Sequence, residues 1–355
     1  MNGRERFVRY MNYEPVDRPP VLVLEPYEVP ALERWRGEGL PEDQSPQEFL
    51  GLDEFCFVPL SFYPHPEFPI RRLDEDEEYV VETDWMNTTV RRRKEAPTMY
   101  YGHIDHPVKS RADWEEYRRH FQADWAVRGL SEEAVRALNE SDRPVYLPLY
   151  PFFFRLGFYA LGMERFLTAF YDDPSLIHEM FSDWTDFVCG LLRPALSRVK
   201  VDIAMFAEDL AFKTSTHISP GVYEEFWYPY QDRVVALLKE FEVPFVGLWT
   251  AGNINPLVEG LLEHGINCTW PLECQAVGMD PFELRRRYGR SLRLGGGIAK
   301  EALIAGPEAI DREIDRLMPL IREGGFLPSL DDMVPPEVPF WHYRHLAERL
   351  LAIRL

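Results

Sequence analysis

The stretch Val201-Asp-Ile-Ala-Met-Phe-Ala-Glu-Asp-Leu-Ala-Phe-Lys213 decides how this chain is expected to fold. Its apolar run, residues 203–207, has the length and composition of a buried strand. Two adjacent acids, Glu208 and Asp209, end the run, and the later pair Ser219-Pro220 is typical of a helix start. The order is therefore strand, polar loop, helix, with charged side chains at the end of the strand where α/β folds keep their functional groups.

The same alternation of apolar runs and amphipathic segments continues along the chain. It predicts eight core strands with helices between them, at residues 19–24, 55–60, 144–150, 203–207, 244–249, 267–270, 291–295 and 325–328. Strands that alternate with helices pair in parallel through right-handed crossovers. Eight such units predict an α/β fold of the closed (β/α)8, or TIM barrel, type. An open doubly wound sheet is the alternative, but no dinucleotide-binding fingerprint follows the first strand.

Residues 62–108 break this pattern. The proline-rich residues 63–69 cannot be helical, and the segments that follow alternate apolar and polar residues with a period of two. We therefore expect a small antiparallel β meander, inserted into a single barrel domain that spans residues 1–355. Within the meander, residues 91–94 form a basic run that fits a solvated strand edge better than an anion site.

The composition restricts the classes of function. The 355 residues are 46% hydrophobic, which is enough for a large core, and they carry a formal net charge of −20. A chain this acidic repels phosphate backbones and anionic lipids, which argues against nucleic-acid and membrane binding. The sequence has no apolar run long enough to span a bilayer and begins with a charged segment, so we expect a cytoplasmic protein with four free cysteines.

Residues directly after the predicted strands would line the mouth of the barrel. This set is rich in acids, aromatic rings and amides and poor in cations. From it we predict catalytic roles for Glu208, Asp209 and Asp331, and substrate-binding roles for Tyr150, Arg155, Trp249, Asn253, Trp270 and Glu273. Carboxylates in a half-dry aromatic pocket can have raised pKa values and act as acid or base. The same groups favour a cationic methylated nitrogen.

Several of these assignments have a structural alternative. Trp249 and Trp270 could simply cap the barrel core, since Trp is often largely buried. Glu208 and Asp209 could pair with Lys213 or with an arginine. Because adjacent strand residues face opposite sides of a sheet, at most one of these two acids faces the barrel axis.

Other site chemistries find less support in the sequence. Gly295–Gly297, before a predicted helix start, could cradle a phosphate, although three glycines also suit a tight turn. No His or Cys pair has the spacing of zinc ligands, so we expect no metal, while a site made of Glu208, Asp209 and Asp331 stays open. No Ser/His/Asp or Cys/His nucleophile signature is visible.

A set of short motifs extends over most of the chain. It comprises residues 3–20, Glu208-Asp209, Ile218-Ser-Pro220, Gly252-Asn-Ile254, Trp270-Pro-Leu-Glu273, Gly278-Met-Asp280, Leu294-Gly-Gly-Gly-Ile298 and Val334-Pro-Pro336. Together these motifs resemble the decarboxylase-like branch of the uroporphyrinogen decarboxylase superfamily. That superfamily consists of (β/α)8 enzymes and includes cobalamin-dependent methyltransferases. The resemblance implies the barrel fold and an enzyme, but no single reaction.

The chain departs from the superfamily at positions that carry its known chemistry. Uroporphyrinogen decarboxylases grip substrate carboxylates with an arginine-rich motif, and residues 24–36 here offer only two arginines. Their catalytic aspartate would fall within residues 57–62, which contain no acid. The zinc-dependent corrinoid methyltransferases use a His-x-Cys pair, and the matching positions here are Trp249 and Ala251. Their later cysteine would fall within residues 329–332, where this chain has none.

The resemblance suggests a leading hypothesis and two alternatives. The leading one is methyl transfer between a small methylated substrate and a corrinoid. No tightly bound cofactor is expected, and the corrinoid (cobalamin) would be delivered by a partner protein. The alternatives are decarboxylation of uroporphyrinogen or another tetrapyrrole or carboxylate substrate, and a non-catalytic small-molecule-binding barrel. A homodimer is usual in the family and is expected here.

Overall fold

The computed structural model describes residues 1–94 and 101–355, apart from the side chain of Gln275. In chain order, its strands are β1 Cys56–Phe57, β2 Arg72–Glu75, β3 Tyr79–Thr83, β4 Thr89–Arg93, β5 Gly102–Asp105, β6 Val145–Leu149, β7 Ile203–Ala207, β8 Phe245–Trp249, β9 Cys268–Leu272, β10 Arg293–Ile298 and β11 Phe326–Leu330. Seven of them form a parallel sheet in the order β1-β6-β7-β8-β9-β10-β11. The other four form an antiparallel sheet in the order β2-β3-β4-β5.

Helices lie before, between and after the strands of the parallel sheet. They are α1 Gly3–Met11, α2 Val29–Gly37, α3 Pro46–Leu50, α4 Arg111–Tyr117, α5 Trp125–Arg128, α6 Glu132–Asn139, α7 Phe153–Leu161, α8 Met163–Asp172, α9 Pro174–Leu196, α10 Pro220–Val222, α11 Tyr228–Glu240, α12 Val258–Glu263, α13 Cys274–Val277, α14 Pro281–Tyr288, α15 Lys300–Ala305, α16 Pro307–Glu323 and α17 Phe340–Ala352. Among the described residues, no helix is both long enough and apolar enough to cross a bilayer.

The strand predicted at residues 19–24 is an extended segment without regular pairing. Leu22 forms a single parallel bridge with Asp53, which precedes β1, and Tyr27 forms one with Val334, which follows β11. The segment therefore contacts both edges of the seven-stranded sheet and completes the ring. The predicted (β/α)8 architecture is confirmed, with seven regular strands and one irregular one.

Proline and one carboxylate explain why this segment pairs poorly. Pro19, Pro20 and Pro26 have no N–H to donate to a neighbouring strand. The N–H of Val21 donates to the side chain of Asp53 at 2.9 Å and not to a backbone carbonyl. Too few donors remain for a continuous ladder.

Side chains of the ring alternate between two separate cores. In β7, Ile203 and Met205 belong to the smaller cluster inside the barrel, which also contains Trp270. Ala204 and Phe206 belong to the larger cluster between the sheet and its helices. This alternation follows from the period of two along a strand, and it assigns every residue of the ring to the lumen or to the helical layer.

The antiparallel sheet lies between β1 and β6 in the chain. Residues 95–100, which belong to the predicted meander, lie outside the described residues. The hydroxyl of Thr88 donates to the carbonyl of Tyr159 at 3.1 Å, and the N–H of Val108 donates to the carbonyl of Ala160 at 2.9 Å. The inserted segment is thereby attached to the C-terminal end of α7.

The basic run 91–94 is paired with acids of the inserted segment. Arg93 Nη2 lies 3.0 Å from Glu78 Oε1, and Lys94 Nζ lies 2.5 Å from Glu75 Oε1. The other two arginines of the run also lie within ion-pair distance of acids in this segment. The run therefore carries little free positive charge and forms the solvated strand edge that the sequence favours.

Two helical segments have unusual features. Seven of the nine residues of helix α7 are buried, and its aromatic residues are weak helix formers, so packing and not intrinsic propensity stabilises it. The helical segment that begins at Pro220 is interrupted by a π turn at Tyr223–Trp227, before α11 starts at Tyr228. Pro229, in the first turn of α11, cannot donate an i→i−4 hydrogen bond there.

Gly295–Gly297 lie inside β10, so they form neither the tight turn nor the loop after the strand that the sequence left open. A Cβ on Gly295 would lie 3.1 Å from the Cβ of Trp270. One on Gly296 would lie 2.6 Å from the backbone nitrogen of Leu272. Glycine is required here because β9 and β10 approach closely.

Replacing Gly296 by alanine should lower the free energy of unfolding by roughly 3 kcal/mol or more, since a side chain at positive φ costs about 1–2 kcal/mol and overlap with a neighbouring strand adds to it. The φ angle of Gly296 is +102°. Gly51, with φ +67° and no atom within 4 Å of the added Cβ, is the matched control, and Gly51→Ala should cost only about 1 kcal/mol. Urea unfolding measures both losses. Equal losses would show that the close approach of the two strands has no effect.

Candidate active site

The carboxyl of Glu25 lies at the mouth of the barrel against an indole. Trp249 Nε1 donates to Glu25 Oε1 at 2.6 Å, and Glu25 is 4% exposed. Burial raises the pKa of Glu25 to about 8, although the hydrogen bond from Trp249 opposes the rise. The negative charges of Asp332, Glu273 and Asp331 raise the pKa further. A proton therefore resides on this carboxyl at neutral pH.

A second acid at the mouth, Asp331, receives the start of α15. Its Oδ1 accepts a hydrogen bond from the N–H of Lys300 at 3.0 Å, and the side chain is almost fully buried. Burial raises the pKa of Asp331 to about 7. The neighbouring Asp332 pairs with the ammonium of Lys300. The helix N-terminus after β10 is therefore occupied by a carboxylate of the protein itself.

Glu273, directly after β9, holds the loop that follows β8. Its Oε2 accepts from the N–H of Gly252 at 2.5 Å, and burial raises the pKa of the carboxyl. In the same loop, Asn253 Oδ1 accepts from the N–H of Asn255 at 3.1 Å, and its Nδ2 donates to the carbonyl of Val277 at 3.3 Å. Asn253 thus shapes the rim while remaining partly exposed to the mouth.

The adjacent acids Glu208 and Asp209 point in different directions. Glu208 is 1% exposed and accepts from the backbone N–H groups of Phe154 at 3.0 Å and Arg155 at 3.3 Å. These donors belong to the first turn of α7, so the carboxyl caps that helix. Burial raises the pKa of Glu208 to about 8, against the effect of the two hydrogen bonds. Asp209 lies on the side of the mouth, where its charge acts on Glu273.

Arg155 pairs with Asp209 across the start of α7. The distance from Arg155 Nη2 to Asp209 Oδ2 is 3.4 Å, and both side chains remain partly exposed. Neither acid of the Glu208-Asp209 pair contacts Lys213 among the described ion pairs. The arginine alternative to Lys213 is the one that the structure shows, and it involves only the exposed acid.

Aromatic rings from the barrel and the inserted segment form one wall of the mouth. The hydroxyls of Tyr150 and Tyr159 are 2.9 Å apart, and the ring of Trp85 lies 5.3 Å from that of Tyr159. Tyr63 packs edge-to-face on Trp85 at 5.0 Å. Next to this wall is a cleft of about 860 Å³, lined by Tyr63, Trp85, Tyr150 and the loop 64–70.

The two tryptophans predicted to bind substrate lie at different depths. Trp270 is 1% exposed and packs in the core inside the barrel. Trp249 is only partly buried and reaches the mouth, where it bonds Glu25. Trp270 therefore forms the floor below the site, and Trp249 is the indole available at its surface.

The structure brings together groups that sequence reasoning did not select. Glu25 directly follows the apolar segment 19–24, and this position alone predicts that it lies at the mouth. Only the tertiary structure shows its contact with Trp249. Trp85 and His103 come from the inserted segment, and no local pattern connects them with the barrel. Across residues 1–94 and 101–355, no group of three His, Cys, Asp or Glu side chains is arranged to hold a metal ion.

Comparisons with known proteins agree on one family. A family model described as uroporphyrinogen decarboxylase (URO-D) matches residues 98–351. The uroporphyrinogen decarboxylase of Myxococcus xanthus (strain DK1622) is 22% identical over 354 residues, covering 94% of this chain and 92% of that protein. The one from Nocardia farcinica (strain IFM 10152) is 28% identical over 188 residues, covering 47% of this chain and 48% of that protein.

A solved structure shares the whole fold. A methyltransferase from Methanosarcina mazei superposes with a TM-score of 0.66 at 16% identity, covering 99% of this chain and 100% of that one. At this level of identity, the likeness concerns the fold and not the reaction.

Glu25→Gln should flatten the pH dependence of stability between about pH 4.5 and 8. The pKa of Glu25 is about 8 in the folded protein against an ordinary 4.5, so its contribution is complete below about pH 4.5 and is lost as the pH rises to about 8. The uptake or release of one proton on unfolding changes the slope of the free energy of unfolding against pH by up to about 1.4 kcal/mol per pH unit. Urea unfolding across this range measures it. Asp17→Asn is the control, because Arg6 holds the pKa of Asp17 low and its contribution is lost only in acid; an unchanged slope for Glu25→Gln would contradict the assignment.

Glu208→Ala should destabilise the protein by about 2 kcal/mol, because the first turn of α7 loses its capping acceptor in a buried site. Glu208→Gln retains an acceptor oxygen and should cost less. Amide hydrogen exchange at Phe154 and Arg155 locates the effect, and it should accelerate in the alanine variant alone. If both variants behave alike, the carboxyl does not act as the cap.

Proposed function

The chain belongs to the uroporphyrinogen decarboxylase family, and on that premise we propose that it is an enzyme that transfers a methyl group from a small methylated substrate to a corrinoid carried by a partner protein. The observation that carries the proposal is the pair of Glu25 and Trp249. It holds a protonated carboxyl inside the mouth of the barrel at neutral pH.

A protonated carboxyl suits the demethylation of an ether or amine. When the methyl group leaves an ether oxygen or an uncharged amine nitrogen, that atom keeps the electron pair of the broken bond and needs a proton. Glu25, with a pKa of about 8, can donate that proton near neutral pH. Trp249 keeps the carboxyl oriented, because its indole N–H has a fixed direction.

The charge of the mouth favours this reaction over the decarboxylation of a porphyrinogen. The negative charges of Asp332, Glu273 and Asp331 all act on the carboxyl of Glu25. Lys300, which lies beside them, is paired with Asp332. A substrate with many carboxylates would be repelled by such a site. A small neutral or cationic methylated molecule would not be.

The aromatic cleft beside the mouth fits the approach of a flat macrocycle. It measures about 860 Å³ and is lined by Tyr63, Phe68, Trp85 and Tyr150. A corrinoid bound there would supply the nucleophile that accepts the methyl group. The residues of the chain would orient the substrate with Asn253 and Glu273, exclude water with the tryptophans, and hold the proton at Glu25. Trp249 and Ala251, which stand at the matching zinc-ligand positions of the resembling methyltransferases, have no metal-binding side chain.

The roles of the other predicted acids follow from their contacts. Glu208 is a positioning residue, since its carboxyl is buried against the start of α7. Asp209 and Asp331 remain candidates for electrostatic stabilisation of the substrate. Asp331 would exert this effect from a buried position, where its carboxylate accepts a hydrogen bond from the first residue of α15.

The test is an anaerobic assay with cob(I)alamin and a panel of methylamines, betaines and aryl methyl ethers, followed by the absorbance of methylcobalamin. Turnover of at least one substrate is expected. For an aryl methyl ether, Glu25→Gln should lower kcat by about 100-fold with little effect on KM, the usual size of a general-acid effect. Glu42→Gln, an exposed carboxylate that is 87% accessible, should leave kcat unchanged. No methyl transfer across the panel would contradict the proposal.

Decarboxylation is the second candidate, because the curated relatives at 22% and 28% identity are uroporphyrinogen decarboxylases. Arg155 would have to bind the substrate carboxylates. Incubation with uroporphyrinogen and chromatography of the products distinguishes the two reactions: products with fewer carboxylates would favour decarboxylation.

A further inference from the structure

Phe57 is an exposed aromatic ring inside the mouth of the barrel. It is the last residue of β1 and pairs with Tyr146 of β6 in the parallel sheet. Phe55, two residues earlier, belongs to the core inside the barrel, so Phe57 points to the same side of the sheet. Phe55 is 9% exposed, whereas Phe57 is 59% exposed. The lumen is therefore filled below Phe57 and open around its ring.

The ring of Phe57 is held by two other rings of the lumen. Its centroid lies 5.0 Å from that of Tyr146 and 6.2 Å from that of Phe55, in edge-on geometry in both cases. The rings of Tyr146 and Phe55 are themselves 4.9 Å apart. Contacts on two sides restrict the Phe57 ring, so its exposed surface keeps one orientation towards the mouth.

The same part of the lumen contains the proton donor of the proposed function. Tyr146 and Trp249, both partly buried, pack against the core inside the barrel. Trp249 donates a hydrogen bond to Glu25, and burial together with the negative charge of Glu25 raises the pKa of Tyr146. Tyr146 is thus in contact with Phe57 and within reach of the charge of Glu25. An exposed apolar ring and a protonated carboxyl therefore lie near each other at the mouth.

An exposed phenyl ring of this kind is suited to an aromatic ligand. Covering its free surface removes apolar area from water, and a second aromatic ring adds a favourable edge-on or offset contact. A quaternary ammonium group would instead gain from an ionised carboxylate, and Glu25 is protonated at neutral pH. Loss of a methyl group from such a cation also leaves a tertiary amine that needs no proton. The pairing of Phe57 with Glu25 therefore favours a neutral aromatic substrate.

We propose that Phe57 binds the aromatic ring of the substrate, and that this ring carries the methyl group on an oxygen next to Glu25. The proposal rests on the proposed function and narrows its substrate to an aryl methyl ether. Phe57 then determines which class of molecule binds, whereas Glu25 acts on the bond that breaks.

The bond changes agree with these positions. Transfer of the methyl group breaks the bond between its carbon and the ether oxygen, and the electron pair of that bond stays on the oxygen. The proton of Glu25 converts this oxygen into the hydroxyl of a phenol, while the corrinoid supplies the two electrons of the new bond to carbon. A phenol has a pKa of about 10, like tyrosine. That value is close enough to the pKa of Glu25, about 8, for efficient proton transfer.

The test is a titration of the protein with 4-fluoroanisole, followed by 19F NMR without any corrinoid. The competitors are methoxycyclohexane, which has a similar size but no aromatic ring, and tetramethylammonium. We expect saturable binding of 4-fluoroanisole. Methoxycyclohexane should bind at least about threefold more weakly, because it lacks the contact between aromatic rings. Tetramethylammonium should bind at least about tenfold more weakly, because no ionised carboxylate compensates its charge beside Phe57.

The variants test the ring itself. Phe57→Leu should weaken 4-fluoroanisole binding at least about fivefold, since leucine is apolar but has no aromatic face. Phe57→Tyr retains the ring and should bind like the wild type. Phe49→Leu is the matched control, because Phe49 is a partly exposed phenylalanine on α3, and it should leave binding unchanged. In the corrinoid assay, Phe57→Leu should raise KM for an aryl methyl ether with little change in kcat, the opposite of the pattern expected for Glu25→Gln.

Three outcomes would overturn the proposal: no saturable binding of 4-fluoroanisole to the wild-type protein, equal binding of either competitor, or unchanged affinity in a folded Phe57→Leu variant. The wild-type titration does not depend on any variant folding, and it needs no methyl transfer. A failed corrinoid assay together with binding of 4-fluoroanisole would reject the proposed reaction and leave this site intact. Turnover of methylamines without binding of 4-fluoroanisole would reject the role of Phe57 alone.

Discussion

Neighbouring residues of a buried strand point to opposite faces of the sheet, and the rest of this molecule depends on that constraint. In β7 it divides the side chains between the lumen and the helical layer. Immediately after β7, it separates Glu208, which enters the helical layer, from Asp209, which stays at the mouth. The same rule brings Trp249 into the lumen, where it meets Glu25. One geometric period therefore decides which acids can meet a substrate and which can only support the fold.

Helix α7 connects the barrel with the inserted sheet. Its first turn has N–H groups without partners in the helix, and Glu208 supplies the acceptors that they need. Its last turn offers carbonyl groups to the inserted segment, as Tyr159 does to Thr88. The polar ends of this helix thus fix the inserted segment on one side of the mouth. The aromatic wall depends on that attachment.

The acids at the mouth affect one another because they are close together and poorly hydrated. In such a place, each negative charge makes the next one more costly, and the groups retain protons at pH values where free carboxyls are ionised. The raised pKa values of Glu25 and Asp331 follow from this, with burial as the largest cause. A mouth of this kind is better suited to giving a proton to a small molecule than to holding a polyanion.

The sequence by itself predicted the barrel, the positions of most strands, the antiparallel character of the inserted segment and the acid-rich mouth. These properties depend on the periodicity and on the end residues of short segments. Both are determined by residues that are neighbours in the sequence. Only the tertiary structure decided that residues 19–24 close the ring without a regular strand, that Gly295–Gly297 lie within β10, and that Glu208 faces α7. It also decided that the inserted segment meets the end of α7, where Thr88 bonds Tyr159. Contacts between distant segments depend on how the helices and the inserted sheet pack together, which no short stretch of sequence specifies.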